Sequence, residues 1–203
     1  SDINEMCTFD PEAMYRMLGA EHALYVAALE SPKPVVAAVN GFALGAGMIL
    51  VMSCDYAVAA ATARFGAPEL TIGVAAPLEG LLLPWITGLG WARSMFYTGR
   101  QVTAEEACRL GLVHEVTDRD SCVKRAIEVA RSIAALPGKG FSIQKQLLYR
   151  LISGGDLESI IELSRSATSL QFAGRETAEA MERFLASRVA GRRVSAASKA
   201  SDT

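Results

Sequence analysis

The run from Pro34 to Gly47, PVVAAVNGFALGAG, constrains the fold more than any other stretch of the chain. Val35 to Val39 is short and apolar, as a strand is. Asn40 and Gly41 mark a turn, and Leu44-Gly45-Ala46-Gly47 forms a glycine-rich loop that opens into an apolar helix over 48–54. Small residues let the backbone come close to a ligand, and the N–H groups of a helix's first turn have no intrahelical acceptor and point outward at it. Holding negative charge on an oxygen is therefore the first chemistry to consider. A lone G-x-G is also explained by close packing of helix on strand, so the rest of the chain has to decide.

A chain of 203 residues, 51% of them hydrophobic, can bury a substantial core and is most simply a single folded unit. With a net charge of −2 and an isoelectric point near 5.8 it carries no global basic field to recruit nucleic acid or anionic lipid. Cys7, Cys54, Cys108 and Cys122 lack C-x-x-C spacing and are expected to be free thiols, mostly buried, as in a reducing compartment. No long uninterrupted apolar run occurs, and SDINEM has no signal-peptide character. The expectation is a soluble cytoplasmic protein, with the mitochondrial matrix open if the source is eukaryotic.

Apolar residues at three-to-four spacing predict an amphipathic helix from Pro11 to Leu29, started by Asp10-Pro11 and broken by Ser31-Pro32-Lys33-Pro34. Tyr56 to Ala60 reads as a second strand. Gly66-Ala67-Pro68-Glu69 then places a carboxylate just past a glycine and a proline, ahead of a turn-rich passage to Gly80. Helices are expected over Leu81–Leu89, interrupted by Pro84, and over Trp91–Tyr97. Thr103 with Glu106 makes a capping box for another, which ends at Gly111, and Leu112–Val116 is a brief strand. Four helices follow: Ser121–Leu136, about 142–153, 156–172, and a last one through about Ser187. His22 and His114 have no evident catalytic partner and are given structural or surface roles.

The ordered run VAAVNGFALGAGMILVMSCDYAVAAATARFGAPELTIGV closely resembles the crotonase superfamily, the enoyl-CoA hydratases and isomerases. TGRQVTAEEACRLGLVHEV matches the family segment ahead of its C-terminal helices, and the likeness continues to about Arg188. SDINEM resembles the end of the family's G-A-D-[IL]-x-E-M motif, which makes Asp2 a substrate-binding candidate. The resemblance implies an α/β fold with a ββα spiral core over 1–120, its N-terminal strands missing. It also implies a helical trimerisation region over 121–190, with 191–203 as a flexible tail. The strands that precede the motif supply one of the family's two oxyanion N–H donors, so the sequence is expected to be either part of a longer protein or a truncated member.

The resemblance assigns the remaining oxyanion donor to the N–H of Ala46, flanked by Gly45 and Gly47, and the proton-transferring carboxylate to Glu69 of the G-x-P-E motif. Glu69 is expected beside apolar surface, its pKa raised by desolvation. Family hydratases hold a second glutamate three residues beyond the donor; here that position is Ile49. One carboxylate suffices to move a proton from C2 to C4 of a 3-enoyl thioester, and the Ala76-Pro77 pair resembles such isomerases. Glu79 could supply a second carboxylate, which keeps a hydratase open, as does the possibility of a catalytically idle CoA-binding member. Coenzyme A enters as part of the substrate, with no metal or redox cofactor. Arg188, Arg192 and Arg193 are candidates for its phosphates, and the oligomer is expected to be a homotrimer or a dimer of trimers.

Overall fold

The computed structural model describes residues 2–75 and 77–135 and, beyond them, 141, 145, 165, 169, 175, 178, 179, 181–183, 185 and 186. In chain order the elements are α1 (Ile3–Met6), α2 (Pro11–Glu30), β1 (Val36–Val39), β2 (Phe42–Leu44), α3 (Ala46–Met52), β3 (Tyr56–Ala60) and β4 (Arg64–Gly66). There follow a 3-10 turn (Glu69–Ile72), α4 (Pro77–Thr87), α5 (Leu89–Thr98), β5 (Gln101–Thr103), α6 (Ala104–Arg109), β6 (Glu115–Thr117) and α7 (Cys122–Ala134). The α/β class is as expected, but the described residues form six strands where the sequence marked three.

Two three-stranded sheets result. The first has the order β1-β3-β6, all parallel, with Val36 opposite Tyr56 and Val58 opposite Glu115. The second has the order β2-β4-β5, with β2 parallel and β5 antiparallel to β4. Period-two alternation divides β3 between two cores. Val58 and Ala60 face α7, where Cys122, Ala126 and Val129 recur at helical spacing, while Ala57 and Ala59 join a larger cluster built around Met48, Phe65, Leu83, Met95 and Val102. A strand buried on both faces needs side chains that fit both, and YAVAA supplies small ones. Among the described residues β1 and β2 are edge strands. An open groove of about 590 Å³ runs along them, bounded by Leu24, Ala28, Phe42, Gly47 and Cys54.

Local chemistry explains most boundaries. Asp10 accepts the N–H of Ala13 and Pro11 opens α2, as the sequence indicated. At α6 the capping box is complete: Thr103 Oγ1 accepts Glu106 N–H at 3.2 Å and Glu106 Oε2 accepts Thr103 N–H at 3.1 Å.

Several expectations need correction. Phe42–Leu44, where the sequence marks no strand and Leu44 reads as the start of the glycine-rich loop, is a strand because it pairs with β4, a long-range partner that local propensity does not show. The helix expected over 48–54 is α3, two residues earlier at each end, because Gly45 rather than Gly47 begins it. α4 starts at Pro77, where a proline costs no hydrogen bond, and runs through Pro84 instead of being interrupted there. α5 begins at Leu89. The last strand is Glu115–Thr117, so His114 precedes it; the His114 ring stacks on Tyr56 at 4.3 Å and its Nδ1 accepts the Ala57 N–H at 3.0 Å. His22 is buried. Of the cysteines, Cys122 alone is buried, Cys54 and Cys108 are half-buried, and Cys7 is exposed; all four are free. The helices expected over 142–153, 156–172 and through 187 lie largely outside the described residues, and the tail wholly so.

Two polar clusters fasten the first sheet. Asp55 Oδ2 accepts the Val35 N–H at 2.7 Å and pairs with the buried Lys145 Nζ at 2.6 Å, which also donates to Ala28 O at 2.7 Å. At the other edge, Arg125 of α7 grips Glu115 of β6 through Nε at 2.6 Å and Nη2 at 2.9 Å, and Tyr56 Oη donates to the same carboxylate at 2.8 Å. The Arg125 hydrogen bonds, seconded by Tyr56, hold the Glu115 carboxyl below the usual range. A depressed carboxylate contributes stability that is present above its unfolded pKa, about 4.3, and is lost as pH falls through the folded value. Glu115→Gln should therefore lower stability at neutral pH, and the gap from the unaltered protein should close on acidification below about pH 4, as read from urea unfolding at the two pH values.

Candidate functional site

The parallel register that sets Leu44 beside Gly66 makes β2 and β4 end side by side, so the residues that follow each strand meet. Gly45 follows β2 at φ 53° and ψ −122°, a conformation suited to glycine. Its N–H donates to Gly66 O at 2.9 Å, and its carbonyl accepts the N–H groups of Met48 at 2.8 Å and Ile49 at 3.0 Å, which starts α3. Ala46 and Gly47 are then the first two helical residues, whose N–H groups helix geometry leaves without an intrahelical acceptor.

After β4, Ala67 is buried and Pro68 turns the chain into the 3-10 turn that Glu69 begins. The turn is closed by the Thr71 N–H on Pro68 O at 2.9 Å and the Val74 N–H on Glu69 O at 3.0 Å. This places the Glu69 carboxylate against Gly45: a Cβ added to Gly45 would collide with Glu69 Oε1 and lie 3.4 Å from its Cδ. Oε2 is buried. The carboxylate and the Gly45-Ala46-Gly47 backbone, 22 or more positions apart in the sequence, thus share one spot. Sequence reasoning singled out both partners but not their close contact, which requires a residue without a side chain at position 45.

The other candidates are placed as follows. Ile49, one turn into α3, is buried in the main apolar cluster, so its side chain offers no polar group. Asp2 is exposed and caps α1, accepting the Asn4 N–H at 2.9 Å. Met6 of that helix packs on Ile72, Val74 and Met181, so the N-terminal residues border the segment that follows Glu69. Pro77 and Glu79 fall in the first turns of α4, but their side chains, like Ala76 altogether, lie outside the described residues. Arg64 directs its guanidinium to the carbonyls of Ala63 and Thr62. Burial pushes the Cys54 thiol up, with Asp55 adding and Lys145 opposing, which disfavours a thiolate. No three His, Cys, Asp or Glu side chains gather to hold a metal ion among the described residues. What the site offers is backbone N–H groups next to a carboxylate, a pairing suited to proton transfer beside a developing oxyanion.

The model of the enoyl-CoA hydratase/isomerase family matches residues 1–190. The chain belongs to that family. It is 32% identical over 189 residues to the short-chain-enoyl-CoA hydratase of Clostridium acetobutylicum, which covers 93% of this chain and 71% of that protein. Among solved structures it superposes on an enoyl-CoA hydratase/isomerase from Mycobacterium paratuberculosis with a TM-score of 0.81 at 27% identity, over 90% of this chain and 74% of that one. A monofunctional enoyl CoA isomerase from M. smegmatis gives a TM-score of 0.60 at 32% identity, over 68% and 66% of the two chains. The chain spans 61 to 71% of the length of the first curated hydratases it matches.

Alanine at position 45 would combine a strained positive φ with the collision against Glu69. Gly45→Ala is expected to destabilise the protein by about 1–3 kcal/mol, seen as a lowered midpoint in chemical unfolding.

Proposed function

We propose that this protein acts on an enoyl-CoA thioester, with Glu69 moving a proton at carbon while the Ala46 N–H steadies the negative charge that develops on the thioester oxygen. The observation that supports the reading is the Glu69 carboxylate seated against Gly45, the residue before Ala46. Glu69 takes the proton from C2, the C–H electron pair moves into the C1–C2 bond, and the thioester carbonyl becomes an enolate oxygen. Glu69 then returns the same proton to C4, the double bond passes from C3–C4 to C2–C3, and no other reactant is consumed. A single oxyanion donor of this kind is worth about 10²–10³ in rate.

The buried apolar side chain of Ile49 favours this isomerisation over hydration, because the position that holds a second glutamate in family hydratases cannot orient water. One structural neighbour is a monofunctional isomerase, which supports this reading, while others are hydratases. A second reading, hydration of a 2-enoyl thioester, is favoured by the hydratase names of the relatives, and in that reading the oxygen of a water adds at C3 while Glu69 gives its proton to C2 and is reprotonated by the proton the water sheds. By family resemblance the working form is proposed to be a homotrimer or a dimer of trimers, with Asp2, Gly45, Gly47, Ala76 and Pro77 lining the substrate site and Glu79 as a reserve carboxylate.

Glu69→Gln in the complete protein should lower 3-enoyl-CoA isomerisation and exchange of the C2 proton into deuterated water by about 10²–10⁴-fold, with CoA-ester binding intact. Retention of most of both activities would remove Glu69 as the proton carrier. Hydration of 2-enoyl-CoA faster than isomerisation in the unaltered protein would select the second reading, and CoA-ester binding without either turnover would indicate an idle member.

A further inference from the structure

Glu69 sits in the middle of a short span, 66–71, whose two ends rest on the same three residues, 99–101. At the first end Gly66 opposes Gln101 across the β4–β5 pair, and a Cβ on Gly66 would lie 3.3 Å from Arg100 O and from Gln101 Cγ. At the other end the Thr71 methyl fills the place where a Cβ on Gly99 would stand, with Pro68 Cα 3.9 Å from that place. Gly99 is the left-handed C-cap of α5, at φ 62° and ψ 16°. The Thr71 methyl is not free to rotate away: Oγ1 donates to Pro68 O at 2.6 Å, and that bond selects the rotamer. Gly99 therefore does more than end a helix. It admits the methyl that holds the far side of the Glu69 turn down, while the register of β4 holds the near side.

We propose that Gly99 and Thr71 are positioning residues for Glu69: the Thr71 methyl, seated on the bare Cα of Gly99, sets where the Glu69 carboxylate lies against Gly45. The proposal rests on Glu69 as the proton carrier for its effect on catalysis, but the seat itself is a matter of geometry. Among the described residues, chain neighbours apart, only Glu69 comes within 4 Å of a Cβ placed on Gly45, so Gly99 and Thr71 do not reach that spot and act through the turn.

The test compares the unaltered complete protein with Gly99→Ala, Thr71→Ser and the two combined, by crystal structure, by thermal unfolding and by Glu69-dependent exchange of the C2 proton of a 3-enoyl-CoA. A misplacement on the order of 1 Å costs up to about 10²-fold, so Gly99→Ala should shift the Glu69 carboxylate off Gly45 and lower kcat by about 10- to 100-fold while KM stays within about threefold. Serine keeps the hydroxyl bond to Pro68 O and removes the methyl, so the double variant should return the carboxylate to Gly45 and restore most of kcat. An alanine strained at positive φ is not relieved by that change, and failure of Thr71→Ser to rescue would overturn the proposal in favour of backbone strain alone. A folded Gly99→Ala protein with Glu69 unmoved also overturns it. Should Gly99→Ala not fold, Thr71→Ser alone decides: with the methyl gone and the hydroxyl bond kept, kcat should fall about 10-fold at unchanged KM, and an unchanged kcat overturns the seat. If the exchange in the unaltered protein survives Glu69→Gln, the acid/base reading fails, and the crystallographic positions still judge the seat.

Discussion

One backbone hydrogen bond, from the Gly45 N–H to Gly66 O, holds the site together. It joins the ends of two parallel strands at the point where each hands the chain to a different task, one to the helix that supplies N–H groups and the other to the turn that supplies the carboxylate. Because Gly45 spends its N–H on β4 and its carbonyl on α3, its φ and ψ are fixed from both sides. A residue so constrained can approach a carboxylate only if it has no side chain. The glycine, the strand register and the place of Glu69 are thus one requirement seen from three elements.

The parts legible in the sequence were those set locally. Asp10-Pro11 fixed the start of α2 and Thr103 with Glu106 that of α6, since capping involves residues three apart. β3 was legible as an apolar run. What was not legible depends on partners far along the chain: Phe42–Leu44 becomes a strand through residues 64–66, and the last strand is moved from 112–116 to 115–117 because Glu115 pairs with Val58. For the site, the family resemblance pointed to Glu69 and Ala46, and the structure brings the Glu69 carboxylate to the residue before Ala46. The Gly99–Thr71 contact was invisible, because Gly99 reads in sequence as an ordinary helix stop.

The charged groups of the first sheet divide by location. Asp55 and Lys145 tie the entry of β1 to the end of α2, and Lys145 is nearly excluded from solvent, so neither charge can be removed without stranding the other. The Glu115, Arg125 and Tyr56 cluster is more open and works through geometry, a two-point guanidinium grip with a phenol on the same carboxylate. Between them the parallel sheet is fastened at both edges, and the second sheet, which carries the site, packs on a fixed platform.

The Tyr56–Glu115 hydrogen bond joins residues 59 positions apart, and this bears on the order in which the chain folds. β1, α3 and β3 are close in sequence and can associate as soon as they are made, whereas β6, the neighbour on the far side of β3, comes much later. Until then the outer edge of β3 is an open template for any other extended segment. Its alanine-rich sequence gives such a stray partner little apolar surface to hold, so the small side chains that let β3 be buried on both faces also protect it while it waits.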